Sequence, residues 1–196
     1  MAMKKKTVTS RSKAMAKPAQ KKKASKAMSQ EAMMAQWQAA MTPGAGHARL
    51  GPLVGTWNTK TTFTMGPGAP AQVYEGTSEH RFVLGGRYLE QVYKGMAMGM
   101  PLEGIGYTGY DNATKRHVGS WMDTFGTCIM TSVGVGRPTE STMRFLAESH
   151  RPSGRKIEFD AILRVADRNR HSYEMWTEGP GGKRFRSMIV EYVRAG

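Results

Sequence analysis

From residue 55 to 194 the chain alternates, and no helical spacing interrupts it. In "KIEFDAILRVAD", Ile157, Phe159, Ala161, Leu163 and Val165 share one face, while Lys156, Glu158, Asp160 and Arg164 share the other. That two-residue period marks a half-buried strand. Ten such segments are read, near 55–65, 71–83, 86–95, 101–110, 116–123, 126–134, 139–149, 155–166, 170–178 and 183–193. The turns between them are short and rich in Gly, Pro, Asn and Asp: "MGPGAP", "LGG", "YDNATK", "DTFG", "GVGRP", "RPSG", "ADRN" and "GPGG". Connections of this length pair each strand antiparallel with its sequence neighbour. A ten-strand meander leaves two bare edges unless it closes. The expected fold is all-β, a ten-stranded antiparallel up-and-down β-barrel over residues 55–194.

The segment before the barrel has two parts. Residues 1–28 hold nine Lys and Arg11, no Asp or Glu, and no aromatic residue. So little apolar surface cannot offset the entropy of ordering, and a disordered basic tail is expected. "SQEAMMAQWQAAMTP" then reads as a helix over 29–41, with Ser29 as N-cap, Glu31 in the first turn and Pro43 as stop. Its stripe of Met33, Trp37 and Met41, with Met34 beside it, predicts a helix that docks across one open end of the barrel. A second brief helical turn is expected over 46–50. Leu50 and Leu53 should stopper the floor, with Gly51 and Pro52 reversing the chain and Gly55 bringing Trp57 in at the first strand.

The formal net charge of +14 is mostly a property of the tail, because the rest of the chain carries 19 cations against all 15 acids. A tail of this kind suits charge neutralisation on a polyanion, with Lys4, Lys5, Lys6, Lys21, Lys22 and Lys23 as candidates. Without aromatic residues it offers no base stacking. A flexible leader, an anionic-membrane tether and a targeting segment are competing readings. The single cysteine, Cys128, allows no internal disulfide and is expected to be a small buried residue in a strand. No stretch approaches a membrane span, and the basic start lacks an apolar signal core, so a cytoplasmic setting is expected.

Three blocks, "HARLGPLVGTW", "LGGRYLEQVYKGMAMGMPLEGIGYTGYDNATKRHVGSWMDTFG" and "GPGGKRFRSMIVEYVR", resemble the bacterial DUF1579 family over residues 43–194. That resemblance implies a calycin-like barrel, similar in form to lipocalins and fatty-acid-binding proteins, and it brings no activity with it. Only "GPGAPA" separates the first two strands, too little for the helical lid of fatty-acid-binding proteins, so an open mouth or one covered by loops is expected. Nitrobindin-like barrels are also similar in form and hold haem through a His on a late strand. His171 stands in the matching place, although the glycine-rich motif after the first Trp is replaced by "GTWNTKTTF".

No catalytic template is present: no Gly-x-Ser-x-Gly, no phosphate loop, no dinucleotide fingerprint and no assignable acid–base pair. His47, His80, His117, His150 and His171 lie on separate elements without metal-ligand spacing, so no metal is expected. Met96, Met98 and Met100 in "GMAMGMP" are soft enough for Cu(I) but read better as rim residues. The pocket candidates are Trp57, Glu90, Tyr107, Trp121, Asp123, Arg144, His171 and Tyr173. Asp123 has a competing assignment, capping the turn at Thr124–Gly126. The register that would sort inward from outward side chains is not fixed by sequence. The leading expectation is a non-enzymatic barrel for a small apolar ligand. A polyanion-associated adaptor, an enzyme and a haem binder are the alternatives.

Overall fold

The computed structural model describes residues 28–196. The six tail lysines expected to meet a polyanion lie outside that range, as does the expected tail disorder. Helix α1 spans Gln30–Met41 and α2 spans Ala45–Ala48, followed by a 3-10 turn at Gly51–Leu53. The strands are β1 Gly55–Phe63, β2 Gln72–Val83, β3 Tyr88–Ala97, β4 Met100–Asp111 and β5 Arg116–Asp123. They continue as β6 Met130–Gly134, β7 Thr142–His150, β8 Lys156–Asp167, β9 Arg170–Glu178 and β10 Arg184–Arg194. Each pairs antiparallel with its sequence neighbours, and β10 returns to β1, from Trp57 against Arg194 to Phe63 against Met188. The barrel is closed, as the alternation and the short turns predict.

The two ends differ. Because β1 starts at the plug, the β1–β2, β3–β4, β5–β6, β7–β8 and β9–β10 loops all lie at the far end, the mouth. At the floor, Leu50 is fully buried and Leu53 is 3% exposed, both within a core that includes Leu89, Phe145, Leu163 and Met175. Trp57, also fully buried, donates its indole N–H to the Leu53 carbonyl at 2.9 Å and so ties the plug to the first strand. The guanidinium of Arg194 sits 4.2 Å from the Trp57 ring centre and donates to the Val54 carbonyl. The stopper read from the sequence is therefore in place.

Helix α1 departs from expectation. None of its residues is buried, and Trp37 is 62% exposed. Only its C-terminal end is fastened. Asn112 in the β4–β5 turn donates to the carbonyls of Ala39, Ala40 and Thr42, and Arg87 in the β2–β3 turn donates to that of Met41. The floor is already filled by α2 and the 3-10 turn, with His47 packed edge-on to Tyr110, so the methionine stripe finds no apolar surface to cover.

Two strand starts also move. β6 begins at Met130 instead of 126, and β7 at Thr142 instead of 139. Residues 124–129 form a wide mouth loop, and Cys128 is exposed there, its Sγ 3.5 Å from the Ser149 hydroxyl. It is not the buried strand residue expected. The β-branched composition of "TCIMT" reads as strand, yet ladder pairing starts only at Met130 opposite Trp121.

Candidate functional site

The barrel encloses a cavity of about 400 Å³, reaching from Leu53, His80 and His171 at the floor to Met98, Asp123 and Phe125 at the mouth. Most of the wall is apolar, with Leu89, Phe145, Leu163, Met175 and Met188 from five strands.

One wall is built by β5 against β4. Trp121 pairs with Gly106, and Asp123 with Gly104. Both glycines leave room for the indole: a Cβ at Gly106 would come 2.9 Å from the Trp121 ring, and one at Gly104 would overlap it. The indole N–H donates to one Asp123 carboxylate oxygen at 2.8 Å, and the other oxygen accepts the Phe125 backbone N–H at 2.9 Å. Asp123 therefore serves both roles read for it, pocket wall and turn cap. A carboxylate beside an indole is tolerated because each oxygen has a donor.

The floor gathers polar side chains from four strands, β2, β3, β9 and β10, around Trp57 of β1. His80 Nε2 lies 2.9 Å from the Ser78 hydroxyl, and the Gln91 amide donates to Ser78 and to the Tyr192 hydroxyl. His171 stacks on Tyr192 and meets Trp57 edge-on. His80 and His171 are 5.6 Å apart between ring centres. The Nδ1 atom of each is buried with no hydrogen-bond partner among the described residues. Burial pushes the His80 imidazole down to about 4, against a smaller opposing effect of the Leu53 carbonyl. Burial, with His80 and Arg194 nearby, pushes His171 down to about 3. Both rings are therefore neutral near pH 7. Burial also raises the Tyr192 phenol to about 12 and the Tyr173 phenol further, so neither supplies a phenolate.

Of the eight pocket candidates, Trp121, Asp123, His171 and Tyr173 line this cavity. Trp57 lies beneath it as part of the plug. Glu90 and Tyr107 do not reach it. Alternation turns them to the outer wall, where Glu90 accepts from Arg81 at 2.6 Å and from the Tyr107 hydroxyl at 3.0 Å. Those bonds, Arg81 first, hold the Glu90 carboxyl below its usual range. Arg144 also faces outward, exposed between buried Met143 and Phe145, and borders a separate floor-end hollow of about 230 Å³. The physical reason is common to all three. Polar residues at outward positions of a strand look no different in sequence from polar residues turned into a cavity.

Ser78, His80, Gln91 and Tyr192 were missed. The available signal was the buried pair Ser78 and His80 alternating with exposed Thr77, Glu79 and Arg81, but polar residues on both faces conceal the period. Among the described residues no group of three or more His, Cys, Asp or Glu side chains is placed to hold a metal.

A closed antiparallel barrel, plugged at one end and hollow to the other, defines a calycin-like fold. Its sequence places it further: residues 42–194 match the model of DUF1579, a protein of unknown function, and the chain belongs to that family. A search of curated proteins returns no match. Among solved structures, Rv2717c from M. tuberculosis is similar with a TM-score of 0.59 at 16% identity, covering 79% of this chain and 100% of that one. The S-type phycobiliprotein lyase CPES from Guillardia theta is similar with a TM-score of 0.51 at 9% identity, covering 79% and 99%. At these identities the likeness is one of fold.

Proposed function

We propose that this protein binds a small, largely apolar ligand inside the barrel without transforming it. The observation that carries the reading is the cavity of about 400 Å³, apolar along its walls, with hydrogen-bonding groups at the two ends. Its volume falls in the range of about 300–1,000 Å³ usual for small-molecule sites. Apolar walls favour burial of hydrocarbon or aromatic surface. The neutral floor, with Gln91, Tyr192 and the two imidazoles, favours an uncharged polar end group over a carboxylate or an ammonium.

An enzymatic use of the barrel is the weaker reading. Asp123 is engaged by Trp121 and Phe125, and His171 is packed under Trp57 and Tyr192, so neither has the free partner that general acid–base work needs. The basic segment 1–28 supports a second, separable activity, contact with a polyanion, through charge alone.

Native mass spectrometry of the protein purified from its own host tests the proposal. The expected result is a mass shift from a bound small molecule that organic extraction removes and that re-binds. A protein that carries nothing, and into which anilinonaphthalene sulfonate does not enter, overturns it. A Soret band on titration with haem would replace it with the haem reading.

A further inference from the structure

The mouth is divided by chemistry. Three adjacent loops, β1–β2, β3–β4 and β5–β6, contain no charged residue. They and the strand ends beside them expose Met65, Met96, Met98, Met100, Phe125 and Ile129. The other two, β7–β8 and β9–β10, carry Arg151, Arg155 and Lys183 and no acid. Those three cations take part in no ion pair among the described residues. The cavity opens beside the uncharged half, with Met98 and Phe125 at both its lip and the rim.

Met98 gives this arrangement its weight. It forms the β3–β4 hairpin tip with Gly99, and both have positive φ, 51° and 75°. A two-residue hairpin of this kind selects Asn or Asp before Gly, and an exposed methionine there is unfavourable on both backbone and solvation grounds. Leu84 shares the outlier at the floor, φ 48°, but its turn is tied to α1 through Arg87. Nothing among the described residues covers the tip at Met98, which is 57% exposed.

We infer that the mouth docks on a bilayer containing anionic phospholipid. The methionine, phenylalanine and isoleucine side chains enter the boundary between headgroups and acyl chains, and Arg151, Arg155 and Lys183 meet the phosphates. Docked in this way, the cavity opens onto the hydrocarbon, and an apolar ligand passes between membrane and barrel without crossing water. That last step rests on the ligand-binding reading, whereas the docking does not.

The test is co-sedimentation of the full chain with vesicles of phosphatidylcholine alone and of an equimolar mixture with phosphatidylglycerol. The basic tail contributes equally to wild type and rim variants, so the comparison isolates the mouth. Met98→Asp restores the residue type that the turn prefers, so its fold is expected to be at least as stable, and Phe125→Asp is a second, independent probe. The expected result is binding to the mixed vesicles that each substitution weakens at least about tenfold. Replacing Arg151, Arg155 and Lys183 by Gln should weaken binding to the mixed vesicles and leave any binding to phosphatidylcholine alone unchanged. Absence of wild-type binding overturns the inference, as do rim variants that bind like wild type. A wild-type dimer that Met98→Asp dissociates would assign the rim to a second copy and also overturn it. Anilinonaphthalene sulfonate uptake without vesicles reports on the cavity separately, so failure of docking and failure of the ligand reading are distinguished.

Discussion

His171 lies parallel to Tyr192, with ring centres 4.1 Å apart and planes 10° apart, and Trp57 meets the same imidazole edge-on at 4.3 Å. This packing keeps the ring uncharged, and stability depends on pH as a result. In the unfolded chain His80 and His171 titrate near 6.5; folded, they titrate at about 4 and about 3. Below pH 6.5 the unfolded state binds protons that the native state refuses, so stability is complete above 6.5 and declines as pH falls toward 3. His80 alone removes on the order of 3 kcal/mol by pH 4. Urea unfolding at a series of pH values measures the decline, and His171→Phe should make it shallower. Stability that is flat from pH 6.5 to 4.5 would refute the assignment of a neutral floor.

The plug and the outer helix give opposite predictions. Leu50→Ala should cost about 2–5 kcal/mol, because a fully buried side chain leaves a hole in the floor. Trp57→Phe should cost about 1–3 kcal/mol by leaving the Leu53 carbonyl without its donor. Met33→Ala and Trp37→Ala should stay within about 0.5 kcal/mol, since α1 buries neither. Denaturant midpoints decide the matter, and a large loss at Trp37 would put α1 in the core after all.

Asp123→Ala removes the acceptor for both the Trp121 indole and the Phe125 amide. A loss of about 1–3 kcal/mol is expected, together with a changed near-ultraviolet circular dichroism signal as the indole loses its fixed position. An unchanged aromatic signal would mean that Gly104 and Gly106 alone hold the ring.

Ser132 lines the cavity from the short strand β6, and Glu90 faces away from it on the outer wall. Ser132→Phe should fill part of the hollow and weaken anilinonaphthalene sulfonate binding about tenfold or more, while Glu90→Gln leaves it within about twofold. Fluorescence titration of both variants compares them directly. Equal effects would place the probe outside the barrel.

The barrel was legible because its signals are local. Alternation in β8, turn residues such as Gly85, Gly86 and Asn112, and the Leu50–Leu53 stopper each follow from neighbouring residues, and all ten strands fall where the pattern puts them to within a few positions. The site was half legible. Trp121 and Asp123 declared themselves as an apolar ring and an acid on one face near a strand end. Glu90, Tyr107 and Arg144 are equally polar and equally placed, and nothing local says that they face solvent. Cys128 misled because its composition is that of a strand while its backbone is free of the ladder until Met130.

Sequence by itself settled the number and order of the strands, the closed topology and the identity of the plug, because period and turn chemistry act over a few residues. Only the tertiary structure decided which side chains look inward, since one step of register exchanges the two faces of every strand. It also brought His80 of β2 beside His171 of β9. They stand 91 positions apart in the chain, and the closure of β1 onto β10 sets them side by side in a register that no local pattern encodes.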